Sequence, residues 1–267
     1  VMSPAFGLEY FGQQHFEDNL FPLSGFSYKK TINCNENGYY SIFQSDRFGF
    51  NNPDSEWDSE EIEFLLVGDS FTMGSCVNRP HDIASNLRIL SSRNALNLGY
   101  VGNGPLFQYA TLREYLDENI KNIIWLYYEN DVFELNRDLK SKILLNYLNN
   151  EGFSQKLKFK QDKINNSLTK FFNKVETLEE KKQQNDKKEK NSTIYKIEKF
   201  ITLKNIRELF LDKYFKSHNI QTNIRTEFEQ ILSKSKELSN KNYSEFYFVF
   251  LRYLIFHMRL VFMFVVI

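Results

Sequence analysis

The chain reads as an α/β protein, a three-layer doubly wound parallel sheet that carries a long helical insertion. Three observations predict this. Between residues 61 and 140, short apolar runs alternate with helix-compatible segments, the pattern of strands joined by crossover helices. Three of the apolar runs stop at polar turns: Gly68-Asp69-Ser70, Gly99 to Gly104, and Glu129-Asn130-Asp131. A fourth run, Phe246 to Leu251, follows a long stretch of different composition.

The elements follow in order. Residues 1–60 are a lead-in rich in Gly, Asn, Ser and aromatics, in which Gly38 to Phe43 suits an edge strand or hairpin. Asp46 to Pro53 reads as turns, and Glu63 to Val67 as the first core strand. Phe71 to Val77 is helix-compatible. Pro80 to Leu90 predicts a helix, with Asn78 as a cap and Pro80 near the first turn. Asn94 to Leu98 is a short strand, Pro105 to Leu116 a helix, and Asn122 to Tyr128 a strongly apolar third strand. The core therefore spans 61–140 and resumes at 241–267. Between them, 141–240 reads as a helical, Lys/Asn-rich insertion, because Ile164, Leu168, Phe171, Val175 and Leu178 recur at helical spacing. Within it, 181–190 lacks any apolar residue, which suits a solvated helix or a disordered loop.

Composition narrows the function classes. Lys+Arg and Asp+Glu both number 34, so net charge makes no case for a nucleic-acid partner. No His/Cys/Asp cluster has ligand spacing, so neither metal nor organic cofactor is implied. Cys34 and Cys76 are too few for a disulfide framework; two unrelated thiols are expected, with a single bridge the alternative. The chain begins at Val1 without a charged-then-apolar leader, which leaves the compartment open between cytoplasm and periplasm.

Ser70 is the candidate nucleophile. A strand end in an open α/β sheet is where such folds place their chemistry, and a serine opening the next helix has orphan N–H groups and the helix dipole at hand for an anion. Asp69 is expected to shape the turn. The stretch Gly68-Asp69-Ser70-Phe71-Thr72 lacks the second glycine of Gly-x-Ser-x-Gly, which disfavours an ordinary α/β-hydrolase.

Gly68-Asp69-Ser70-Phe71-Thr72, Asn97-Leu98-Gly99-Tyr100-Val101-Gly102 and Glu129-Asn130-Asp131 together resemble the first three sequence blocks of the SGNH/GDSL hydrolases. Asp46 to Asn52 resembles a lead-in found before the serine block of some members. The resemblance covers about residues 40–135 and implies a flavodoxin-like sheet and an ester hydrolase acting on acyl or acetyl esters, carbohydrate esters included. It implies Ser70 as nucleophile, with the Ser70 N–H, the Gly102 N–H and the Asn130 side-chain amide as oxyanion donors. Gly102 is preferred to Gly99 on alignment, a choice that loop geometry could reverse. Glu129 stands where the third block usually has glycine.

The fourth part of that pattern is missing. A serine needs a base, usually a histidine oriented by a carboxylate, and the resembled family supplies both in a late Asp-x-x-His block. The residues three before His15, His81, His218 and His257 are Gly12, Asn78, Phe215 and Leu254. The tail 252–267 is expected to be a truncated or frame-shifted end that leaves this polypeptide catalytically incomplete, because it is too short for a helix, a fifth strand and the histidine loop. A membrane span there is the weaker alternative: the length is close to the roughly 20 residues required, but Arg252, His257 and Arg259 interrupt it. The alternative function is a non-catalytic member of the fold that binds carbohydrate or protein.

Overall fold

A computed structural model of the chain describes residues 3–5, 20–35, 38–128, 131–174, 223–252 and 261–265. The molecule is α/β, and its main sheet is flanked by helices. Strands β4 (Ile62–Gly68), β5 (Ala95–Asn97), β6 (Ile120–Tyr128), β7 (Glu245–Arg252) and β8 (Val261–Val265) lie in the order β5-β4-β6-β7-β8. The first four in that order are parallel, and β8 runs antiparallel at the edge. Leu65, Leu66, Ile123 and Trp125 are fully buried, as the strands of a sheet covered on both faces must be. A small sheet precedes this one: β1 (Ser3–Pro4) pairs parallel with β2 (Lys30–Ile32), and β2 antiparallel with β3 (Ile42–Gln44).

The helices are α1 (Ser70–Met73), α2 (Ile83–Ser91), α3 (Pro105–Tyr115), α4 (Asp131–Asp138), α5 (Lys142–Asn149), α6 (161–174) and α7 (Asn223–Lys241). Residues 1–168 and 225–267 form one compact unit and 169–224 a second; the described parts of the second, 169–174 and 223–224, are helical. The lysine-rich run 181–190 lies outside the described residues. No helix among the described residues is long and apolar enough to cross a membrane.

Three local expectations change. Helix α1 is a single turn, because Gly74 takes a left-handed conformation (φ 84°) and returns its N–H to Phe71 O, a glycine C-terminal stop. Helix α2 begins three residues later than Pro80, capped by Asp82, which accepts from the Ser85 N–H at 2.9 Å. Asn78 instead accepts from the Ile42 N–H at 2.8 Å and joins the lead-in to the loop after α1. The tail also contributes β8: a parallel strand would need a crossover of a dozen or more residues, but an antiparallel one needs only a short return.

The cysteines are not two unrelated thiols. Cys34 and Cys76 form a disulfide with Cα atoms 4.9 Å apart. Composition could not reveal this, because the pairing depends on the lead-in folding back onto the loop after α1. Beside the bridge, Asn33 donates to Ser75 Oγ at 2.8 Å.

Candidate active site

In the order of first appearance, the parallel strands of the main sheet run 2-1-3-4. The chain moves from β4 to one side and then crosses to the other, which makes the β4/β6 border the switch point. Ligands of open α/β sheets bind at that border, outside the carboxyl ends. Ser70 follows β4 there and Tyr128 ends β6.

Helix α1 is short and is held by its surroundings. Asp69 caps it, accepting from the Phe71 N–H at 2.8 Å, which is the turn-shaping role expected of it. Its carbonyl end is met by two asparagine amides, Asn51 Nδ2 to Met73 O at 2.8 Å and Asn97 Nδ2 to Thr72 O at 2.6 Å. The lead-in supplies the first and β5 the second. Asn52 ties these two together by exchanging hydrogen bonds with the Asn97 main chain, at 3.0 and 2.8 Å. Behind them the fully buried Asp46 accepts from the Phe48 and Phe50 N–H groups, Asn52 and Trp57. Burial pushes its carboxyl up to about 6, against the pull of those donors. The segment Asp46 to Asn52 is thus the mould that seats the helix carrying Ser70.

Two glycines let this helix sit so close. A Cβ on Gly68 would run into the Thr72 side chain, and one on Gly99 would lie 2.5 Å from Met73 N and 2.6 Å from Thr72 Cβ. Gly99→Ala must therefore displace α1. It is expected to cost about 1–3 kcal/mol, as overpacking does, read as a lowered urea midpoint; an unchanged midpoint would contradict this contact.

Ser70 itself is half-buried, and its hydroxyl makes no hydrogen bond within the described residues. The Gly99 N–H is taken by Asn97 Oδ1 at 2.8 Å. Gly102 sits in a left-handed turn (φ 72°), its carbonyl accepts from Arg137 at 2.8 Å, and its N–H donates to nothing among the described residues. Asn130 and Glu129 lie outside the described residues. On either side of them, the Tyr128 N–H donates to Asp131 Oδ2 at 3.1 Å.

Helix α4 brings a group of inward-facing acids that residue order alone does not single out. Asp131, Glu134 and Asp138 fall at three- and four-residue spacing, the signal of one helix face, but acids at that spacing ordinarily mark the solvated side. Here Asp131 and Asp138 are buried. Burial and then the charge of Asp69 raise Asp131 well above the usual carboxylate range. The same two causes raise Glu134 to about 7. Asp138 accepts from the Phe107 N–H at 3.0 Å at the start of α3 and leaves its other carboxyl oxygen unpartnered; burial raises it to about 8. Among the described residues, no three His, Cys, Asp or Glu side chains are placed to hold a metal ion.

His81 is exposed, and His15, His218 and His257 lie outside the described residues. No family model, no curated protein and no solved structure matches the chain.

Proposed function

We propose that this chain is an SGNH-type serine hydrolase acting on acyl or acetyl esters of small molecules or carbohydrates, on a flavodoxin-like three-layer core. One observation carries the reading. A half-buried serine whose hydroxyl is unengaged among the described residues opens a rigidly seated helix at the switch point, and the Gly102 loop leaves the neighbouring strand at the same edge with its N–H likewise unengaged among them. Ser70 would attack the ester carbonyl while a general base takes its proton. The Ser70 and Gly102 N–H groups, with the Asn130 amide, would hold the oxyanion as charge develops. Occupation of the Gly99 N–H supports Gly102 as the loop donor.

The test is hydrolysis of p-nitrophenyl acetate by the purified chain. Ser70→Ala is expected to abolish turnover, and Asn130→Ala to lower kcat on the order of 10² to 10³. Turnover that survives Ser70→Ala would refute the assignment. A second reading, a non-catalytic member that binds carbohydrate or protein, is favoured by the absence of any Asp-x-x-His spacing from the sequence. It predicts no turnover at all.

A further inference from the structure

We infer that the carboxyl edge of the sheet beside Ser70 takes esters that carry a flat ring, seated on an aromatic shelf made by Phe71 and Tyr128; this rests on the hydrolase reading above. The parallel pairing of β4 with β6 reaches Gly68 and Leu126. Ser70 opens α1 just after β4 ends and Tyr128 closes β6, both at the same carboxyl edge. The Phe71 ring, on the first turn of α1, stacks on the Tyr128 ring with centroids 4.9 Å apart and planes 20° from parallel. Tyr128 is anchored in turn. Its N–H is held by Asp131, and its side chain packs against the buried cluster of Leu126, Val249 and Leu251.

The shelf is therefore fixed before any ligand arrives, yet Phe71 keeps 39% of its surface exposed one residue from the nucleophile. A surface phenylalanine held flat by its neighbour offers a planar apolar face. Such a face suits a partner that is flat itself, an aryl ring or the C–H face of a pyranose, because ring stacking adds affinity beyond area burial. A flexible open chain gains less there, because it must give up its torsional freedom for contact on one side only. Phe71 is thus a specificity-determining residue, and the ring sits beside the reacting carbonyl.

The experiment separates this inference from the reading beneath it. Binding is measured by saturation-transfer NMR on the Ser70→Ala protein, which cannot turn substrate over. Three acetates are compared: glucose pentaacetate, phenyl acetate and the open-chain glycerol triacetate. At least one ring acetate is expected to bind about 2- to 10-fold more tightly than the triacetate, and Phe71→Ala added to Ser70→Ala is expected to erase that preference. Which ring acetate wins distinguishes a sugar from an aryl substrate. Phe71→Leu, which keeps apolar bulk but not the plane, guards against loss through local unfolding and is expected to erase most of the preference. Equal binding of all three acetates, or a preference that survives both substitutions, overturns the inference. Covalent labelling of Ser70 in the wild-type chain reports separately on the hydrolase reading.

Discussion

Replacing Cys34 and Cys76 together by serine is expected to destabilise the fold by about 4 kcal/mol. The bridge closes a loop 42 residues apart in sequence, and chain entropy assigns about that value to a loop of this length. For a domain of this size each kcal/mol moves the melting temperature by about 2–4 °C, so a loss of roughly 8–15 °C is expected. Dithiothreitol should bring the wild type to the same value. The hydrogen bonds from Asn33 to Ser75 and from Ile42 to Asn78 survive the change, so the double variant is expected to fold and to keep Ser70 in place. An unchanged melting temperature would contradict the bridge. Disulfides persist in oxidising compartments, so thiol titration is expected to find the pair oxidised in exported protein and free in protein made in a reducing cytoplasm.

Asp138→Asn is expected to raise stability, and by much more at pH 8 than at pH 5. Asp138 is buried, and its native carboxyl titrates near 8, against 3.8 when exposed. The native state therefore holds a proton that the unfolded chain has released. The stability from this group is complete below about pH 4 and is lost as pH rises through 8, at about 1.4 kcal/mol per pH unit. The groups facing it are Glu134, whose charge raises it further, Arg137, which opposes the rise, and the Phe107 and Leu106 N–H groups, which also oppose it. Asparagine keeps an acceptor for those amides and cannot ionise. Between pH 5 and 8 the wild type should thus lose on the order of 3–4 kcal/mol more than the variant. Urea unfolding at both pH values reads this directly, and parallel losses in the two proteins would show that Asp138 does not carry the proton.

Much of the architecture is legible from residue order alone. Leu65 to Val67 and Ile123 to Leu126 are continuous apolar runs because both faces of a parallel sheet are covered, and their ends can be read from the glycines and polar residues that follow. The cap of α2 is harder. Asn78 and Asp82 are both good caps, and the choice falls to Asp82 because the Ile42 N–H claims Asn78. The disulfide and the inward acids of α4 were hidden for a related reason, since each depends on a partner far away in the chain. In the candidate site, Ser70 and the Gly102 loop could be read as strand ends. The Phe71–Tyr128 shelf could not, because it needs the register of β4 against β6. The aromatic richness of the whole chain, 26 Phe and 15 Tyr, offered no reason to single out those two.

Ser70 is either an activated nucleophile or a structural serine that opens a helix. Incubating the purified chain with a fluorophosphonate and mapping the adduct by peptide mass spectrometry decides between them. One phosphonate per chain is expected, on the peptide containing Ser70, and none after Ser70→Ala. A chain that stays unmodified, or one modified at another residue and still modified after Ser70→Ala, would contradict the nucleophile reading.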